Sequence, residues 1–242
     1  MMRALLVAIG FLTRLPVPAS VFDDARAQSR SLAWYPLVGA IVGGLLCLLA
    51  WPLQHAPPLL SAVLLLVAWV CLTGALHLDG LADSADAWIG GLGDRERTLT
   101  IMKDPRSGPA GVVALVLVLL LKFAALASLP APAWIALLLA PLLARAALTL
   151  AFLSTPYARS GGIGRALVDA PRAAAIVALL AGAAACALAD WRGALALAVA
   201  ALIFLLWRQA CLRRLQGMTG DTCGALAEIT EAGVLVALAL SY

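Results

Sequence analysis

A stretch of acidic residues, HLDGLADSADAWIGGLGD, offers the clearest chemistry in the sequence and contains no lysine or arginine. Its first three carboxylates, Asp79, Asp83 and Asp86, are spaced i, i+4 and i+7, which predicts that they share one face of a helix. Like charges on one face repel one another unless a cation lies among them. Hard carboxylate oxygens suit Mg²⁺, which is commonly held by one or two carboxylates together with substrate phosphates. The spacing therefore favours a magnesium site over a solvated acidic turn.

The next segment, IMKDPRSGPAG, has features of a phosphate-binding loop. Asp104 is a fourth candidate metal ligand. It lies between two positively charged residues, Lys103 and Arg106, which are candidate catalytic residues. Gly108 precedes an apolar helix, where glycine lets a backbone approach a phosphate and the helix N-terminus directs N–H groups at an anion. The same pattern is also typical of an ordinary turn. We expect anion binding because the segment shares a connection with the acidic stretch.

Two later segments carry further candidate substrate-binding residues. The glycine-rich loop STPYARSGGIGRAL presents Arg159 and Arg165 to an anionic ligand, and a plain flexible connection is the equal alternative. It matches neither the Walker A pattern nor a dinucleotide fingerprint. The segment GMTGDTCGALAEITEAG carries Asp221, Glu228 and Glu231, which is more carboxylate than a structural membrane helix is expected to hold.

His77 begins the acidic stretch, where it could assist proton transfer or position a ligand. A lone histidine at a helix end is otherwise an interfacial polar residue. The sequence leaves both interpretations open.

These segments must be positioned by helices in a membrane. The chain is 64% hydrophobic and 12% charged, whereas soluble domains are about 45–50% hydrophobic and about 25% charged. Its mean hydropathy is +1.00. This composition excludes a water-soluble globule. We expect an all-α polytopic membrane protein that forms a single domain over residues 1–242.

Apolar runs long enough to approach a bilayer span predict a bundle of six or seven transmembrane helices. They lie near residues 36–53, 60–78, 110–129, 133–153, 173–189, 193–207 and 224–241. Because 193–207 is short and the last run contains two glutamates, six spans with a tucked C-terminal helix is the alternative.

The N-terminal segment resembles a cleaved signal peptide in its charged start, its apolar run and its V-P-A-S ending. Arg14 interrupts that pattern, and cleavage would place Arg26 and Arg30 on the opposite side from most other bases. A short interfacial or re-entrant helix fits better.

If the spans alternate, 14 of the 17 basic residues lie on one side, which the positive-inside rule assigns to the cytoplasm. The N-terminus and three active-site loops, 79–109, 154–172 and 208–231, are predicted there. Lys122 and Arg145 instead lie within predicted spans, roughly 18 and 12 Å deep at 1.5 Å per residue. Because buried charge needs a partner, we expect Lys122 to pair with Glu228, with Glu231 or with substrate phosphate, and both bases are candidate substrate-binding residues.

Taken together, the motifs HLDGLADSADAW, IMKDPRSGPAG and TGDTCGALAEITE, preceded by GFLTRLPVP, resemble the cobalamin synthase family, the adenosylcobinamide-GDP ribazoletransferases. The resemblance covers nearly the whole chain. It implies a bacterial inner-membrane enzyme that requires Mg²⁺, joins adenosylcobinamide-GDP to α-ribazole or its 5′-phosphate and releases GMP. The family's acidic motif corresponds here to Asp79, Gly80, Ala82 and Asp83, so Gly80 is a further candidate for substrate binding. Where some members have an acid before this Asp-Gly step, this chain has Leu78.

The resemblance also implies a mechanism. One or two Mg²⁺ ions would be held by Asp79, Asp83 and Asp86, with Asp104 as a further ligand, and would bridge the pyrophosphate. The ribazole 3′-hydroxyl would attack the phosphorus nearer the corrinoid, with Asp83 or Asp86 accepting its proton. Departing GMP would be stabilised by bases, namely Lys103, Arg106 and Arg165. The expected partners are these two substrates and the lipid bilayer, with no nucleic acid, and a homo-oligomer is left open.

Two other functions compete with this one. A CDP-alcohol phosphotransferase also places aspartates and a D-G step at a membrane face, but its A-R pair and its later G-x-x-x-D-x-x-x-D are absent. A secondary transporter could use Lys122, Arg145 and Glu228 as a charge relay, but the sequence shows no internal repeat of the kind that transporters carry.

Overall fold

The protein is described here by a computed structural model that covers residues 1–159 and 163–242. This part of the chain is helical, and its backbone pairing outside helices is an isolated β-bridge between Tyr157 and Met218. The helices are α1 (Met2–Leu12), α2 (Ala25–Ser31), α3 (Tyr35–Leu53), α4 (Pro58–Thr73), α5 (Leu76–Gly90), α6 (Arg95–Ile101), α7 (Pro109–Ser128), α8 (Trp134–Ser154), α9 (Ile163–Val168), α10 (Arg172–Ala187), α11 (Asp190–Leu215) and α12 (Gly220–Ala239).

Among the described residues, five helical segments are long and apolar enough to cross a membrane, and α4 together with α5 makes a sixth if that bent pair counts as one. The predicted all-α, multi-pass membrane fold is therefore confirmed. The run expected at 173–189 forms α10, whose 16 residues span only about 24 Å. The run at 193–207 is instead part of α11, which has 26 residues and is longer than expected.

The span predicted at 60–78 is not a single helix. Helix α4 ends at Thr73, Gly74 and Ala75 adopt left-handed conformations with φ of 62° and 58°, and α5 leaves at 88° to α4. The Arg14 backbone N–H donates to the Leu72 carbonyl at 2.7 Å. The Arg14 side chain covers Gly74, where an added Cβ would lie 1.9 Å from its Nε. The segment after α1 thus packs against the bend that sets the direction of α5.

Helix α12 is the centre of the bundle and is not a tucked surface helix. It packs against α5, α7, α8 and α11, and it is buried along most of its length. Its N-terminus begins in a capping box formed by Thr219 and Thr222. The carboxylates of the last apolar run are therefore held in the interior, and Asp221 lies in the first turn, beside α5.

Candidate active site

The three predicted carboxylates all lie on α5, and the expected helix is confirmed for them. Asp79 is exposed and Asp83 is half-buried. Asp221, at the start of α12, packs against Gly80 of α5. Acidic groups from α5 and α12 are therefore close to one another, and a basic residue, Arg159, lies beside them.

A close crossing of α5 and α12 brings these groups together. Gly80 faces Gly224, and a Cβ added at Gly80 would lie 2.7 Å from the Asp221 carbonyl oxygen and 3.2 Å from the Gly224 Cα. Small residues let helix backbones approach closely. Gly80, expected from the family resemblance to bind substrate, therefore has a packing role that brings Asp79 next to Asp221.

The segment before α9 adds the base. Ala158 N–H donates to the Met218 carbonyl and Met218 N–H donates to the Pro156 carbonyl, both at 2.8 Å. This pairing places Arg159 Nη2 2.7 Å from Asp221 Oδ2. Arg159 is thus paired with a carboxylate at the start of α12, and its contact with substrate stays a prediction.

A cavity of about 150 Å³ opens between α5 and the start of α12, with further walls from α1, α3, α8 and α9. Its polar lining is His77, Asp79 and Asp221, with the backbone of Gly80, Gly220 and Gly224 and an apolar wall that includes Tyr35 and Phe152. His77 is only 3% exposed, and the sequence leaves open whether it serves a ligand or is an interfacial polar residue. The cavity is therefore the candidate active site.

Asp86 is directed to a different partner. Its Oδ2 accepts the Gly108 N–H at 2.6 Å and its Oδ1 accepts the Gly111 N–H at 2.9 Å. The N-terminus of α7 does bind an anion, as the sequence predicts, but the anion is this side chain and not a substrate phosphate. Glycine is needed at position 108 because the Asp86 carboxylate lies against its backbone. An added Cβ would lie 2.5 Å from Asp86 Oδ1. The expected roles of Asp86 as metal ligand or base must compete with this capping role.

The bases of the 102–108 turn lie outside the interior. Arg106 binds Asp104 through two side-chain contacts, Nε to Oδ1 at 3.0 Å and Nη2 to Oδ2 at 2.8 Å. These hydrogen bonds lower the pKa of Asp104 to about 2 and raise that of Arg106. The structure thus gives Asp104 a partner other than the expected metal. Lys103 is exposed, and so is Arg165 on α9. Roles for these bases at departing GMP stay predictions.

The glycine-rich loop before α9 is the other segment expected at an anionic ligand. Two of its glycines, Gly161 and Gly162, lie outside the described residues.

The pairing predicted for Lys122 is confirmed. Lys122 Nζ lies 2.8 Å from Glu228 Oε2 and also binds Glu231, which in turn pairs with Arg145. The side chains of these four residues are at most 4% exposed. Their charges balance without a substrate, so the structure favours ion pairing over the expected substrate contact for Lys122, Arg145 and Glu228.

Among the described residues, no group of three or more His, Cys, Asp or Glu side chains converges to hold a metal ion. The four-carboxylate site expected from the family resemblance is therefore not assembled by the chain alone. Mg²⁺ is commonly held by one or two carboxylates plus substrate phosphates. Asp79 and Asp83 fit that smaller requirement, since they lie one turn apart in a region where acids outnumber bases.

Sequence reasoning missed two structural contributors to the site. The first is Gly224, which allows α12 to cross close to α5. The sequence feature that indicates this is a small residue one turn into α12. The second is the contact of Arg14 with Gly74, signalled only by an isolated glycine between an apolar run and the acidic stretch.

Comparison with known proteins bears on what this site does. A family model described as cobalamin-5-phosphate synthase matches residues 4–239. The chain is 57% identical over 241 residues to the adenosylcobinamide-GDP ribazoletransferase of Pseudomonas aeruginosa (strain UCBPP-PA14), covering 99% of this chain and 98% of the relative. It is equally similar to the enzyme of that name from Stutzerimonas stutzeri (strain A1501), with the same coverage. The relative of that name from Pseudomonas fluorescens (strain Pf0-1) is 53% identical over 242 residues, which is 99% of this chain and 100% of the relative. No solved structure matches the chain.

Proposed function

The chain belongs to the cobalamin-5-phosphate synthase family, and we propose that it joins adenosylcobinamide-GDP to α-ribazole or its 5′-phosphate and releases GMP. The observation that carries this proposal is one cavity lined by Asp79 of α5 and Asp221 at the start of α12, with Arg159 paired to Asp221. The family match and the named relatives favour neither the CDP-alcohol phosphotransferase nor the transporter.

The reaction is a phosphoryl transfer. The ribazole 3′-hydroxyl oxygen forms a bond to the phosphorus nearer the corrinoid, and the bond from that phosphorus to the bridging pyrophosphate oxygen breaks, so GMP leaves with that oxygen. The hydroxyl proton passes to a carboxylate. We assign this role to Asp83 because both oxygens of Asp86 already accept backbone hydrogen bonds. In such reactions, positioning and charge neutralisation supply most of the catalysis.

Asp79 and Asp83 are the residues that we propose to hold Mg²⁺. When bound, the ion neutralises charge on the pyrophosphate. Arg159, half-buried, would contribute fixed positive charge beside Asp221. Lys103, Arg106 and Arg165 are exposed bases that would contact the leaving nucleotide.

The site is proposed to face the cytoplasm of a bacterial inner membrane. The positive-inside rule places the base-rich loops there, and the nucleotide-activated substrate belongs to the same compartment.

Reconstitution tests the proposed function. The purified protein in detergent, given adenosylcobinamide-GDP, α-ribazole 5′-phosphate and Mg²⁺, is expected to release GMP together with the 5′-phosphate of adenosylcobalamin in equal amounts. Omitting the ribazole should abolish GMP release, which separates transfer from hydrolysis. Absence of product with both substrates and metal present would refute the assignment.

A further inference from the structure

A contact between Arg145 and His77 links the buried ion pairs to the candidate active site. Arg145 Nη2 lies 3.4 Å from His77 Nδ1, and the two residues are 0% and 3% exposed. Arginine has five N–H donors and no acceptor. His77 Nδ1 must therefore present a lone pair to Arg145, which leaves the imidazole hydrogen on Nε2.

The guanidinium that sets this orientation is itself held in place. Its Nη1 pairs with Glu231, which also binds Lys122, and Lys122 binds Glu228. The Lys122 ammonium lies 4.6 Å from the centre of the Trp69 ring. Side chains from five helices, α4, α5, α7, α8 and α12, thus meet in one cluster. Turning Arg145 away from His77 would disturb a buried charge, which is strongly unfavourable.

His77 also lines the cavity, together with Asp79 and Asp221, which accept hydrogen bonds but donate none when ionised. An anionic phosphate oxygen that enters a cavity lined by acids needs a donor. Arg159 is already paired with Asp221, so the His77 Nε2–H supplies a donor that the acids lack.

We infer that Arg145 is a positioning residue that fixes His77 as a hydrogen-bond donor, through Nε2–H, to an anionic phosphate oxygen of the substrate. The substrate contact rests on the proposed function, whereas the orientation of the imidazole follows from the contacts within the chain alone. This assignment gives His77 a binding role and excludes it as the proton acceptor.

Nitrogen NMR of the full chain in detergent tests the orientation without any substrate. The chain has two histidines, so His55→Gln leaves His77 as the sole imidazole signal. We expect the Nε2–H tautomer. Arg145→Lys keeps a positive charge for Glu231, but a single ammonium on a shorter side chain cannot also hold Nδ1, so the signals of both tautomers should appear. A Nδ1–H tautomer in the His55→Gln protein would overturn the inference.

Kinetics of paired substitutions test the substrate contact. Glutamine places an N–H near the position of Nε2, whereas asparagine reaches only the position of Nδ1. His77→Asn should raise KM for adenosylcobinamide-GDP about tenfold or more, the loss of one hydrogen bond to a charged group, and His77→Gln should raise it less. Arg145→Lys should raise KM in the wild-type background and add little to His77→Asn.

Thr149→Val is the matched control, because Thr149 lies one turn after Arg145 and its hydroxyl donates to the carbonyls of Leu32 and Arg145. We expect it to lower the melting temperature without changing KM. Equal KM for His77→Asn and the wild type, or additive effects of Arg145→Lys and His77→Asn, would refute the substrate contact. A wild-type protein that releases no GMP would refute the proposed function instead, and the tautomer measurement would still stand.

Discussion

At the scale of single residues, the two carboxylates Asp79 and Asp83 matter most. The sequence identifies them because their spacing predicts one helix face and no base follows within the same stretch. Sequence spacing does not reveal that Asp86, on the same face, binds the N-terminus of α7. That contact joins residues 22 and 25 positions apart, and it depends on how two helices are placed relative to one another.

Replacing either carboxylate by its amide tests their role. Asp79→Asn and Asp83→Asn keep the side-chain shape and remove the charge, so each should abolish turnover and leave the melting temperature close to that of the wild type. Asp190→Asn is the control, since Asp190 begins α11 and asparagine tolerates its φ of 52°. Near-normal rates in both variants, or full activity in EDTA, would rule out the carboxylates as metal ligands.

Lys122 is the residue whose loss should cost the most stability. Lys122→Met leaves Glu228 without its ammonium partner in the interior, and breaking a buried pair costs about 3–5 kcal/mol. The melting temperature in detergent should fall. Adding Glu228→Gln should restore part of it, because the double variant no longer carries the unpaired charge. If the second substitution brings no recovery, the loss comes from packing and not from the stranded carboxylate.

At the scale of helices, the sequence predicts which segments are apolar, but not where they bend. A hydropathy pattern continues through the junction of α4 and α5, because Gly74 and Ala75 lie between two apolar segments. The break requires two successive left-handed residues, and alanine gives no local signal for that conformation. The packing of Arg14 on Gly74 is a long-range contact that no local pattern contains.

The crossing of α5 and α12 is the helix contact on which the site depends. Gly80→Ala places a methyl group 2.7 Å from the Asp221 carbonyl oxygen, so the helices must separate and shift Asp79 relative to Asp221. We expect a large loss of activity and a lower melting temperature. Gly44→Ala is the matched control, because a Cβ there meets nothing within 4 Å and alanine is favoured over glycine in a helix by about 0.5–1 kcal/mol. Equal behaviour of the two variants would show that the close crossing is not needed.

At the scale of the whole molecule, charge separates the two ends of the bundle. The connection between α3 and α4 has no lysine or arginine. By contrast, four bases lie between α5 and α7, two lie between α8 and α10, and three lie in the last two turns of α11. The candidate site lies at the base-rich end, since Asp221, at the start of α12, lines its cavity and pairs with Arg159. Composition predicts this sidedness. The depth of the buried ion pairs follows only from helix packing, because Glu228 and Glu231 belong to the central helix α12.

Orientation in the membrane is the prediction that belongs to this scale. If the spans alternate, 14 of the 17 basic residues lie on the side of the acidic loop, and the positive-inside rule then predicts that this side faces the cytoplasm. The background for this test is a chain in which Cys71, the exposed native cysteine, is replaced. A single cysteine is then introduced at Arg97 or at His55, two exposed positions expected on opposite sides of the membrane. In intact cells, an impermeant maleimide should label His55→Cys and leave Arg97→Cys unlabelled until the membrane is opened. The reverse pattern would place the acid-lined cavity outside the cell, away from its nucleotide substrate, and the orientation would have to be abandoned.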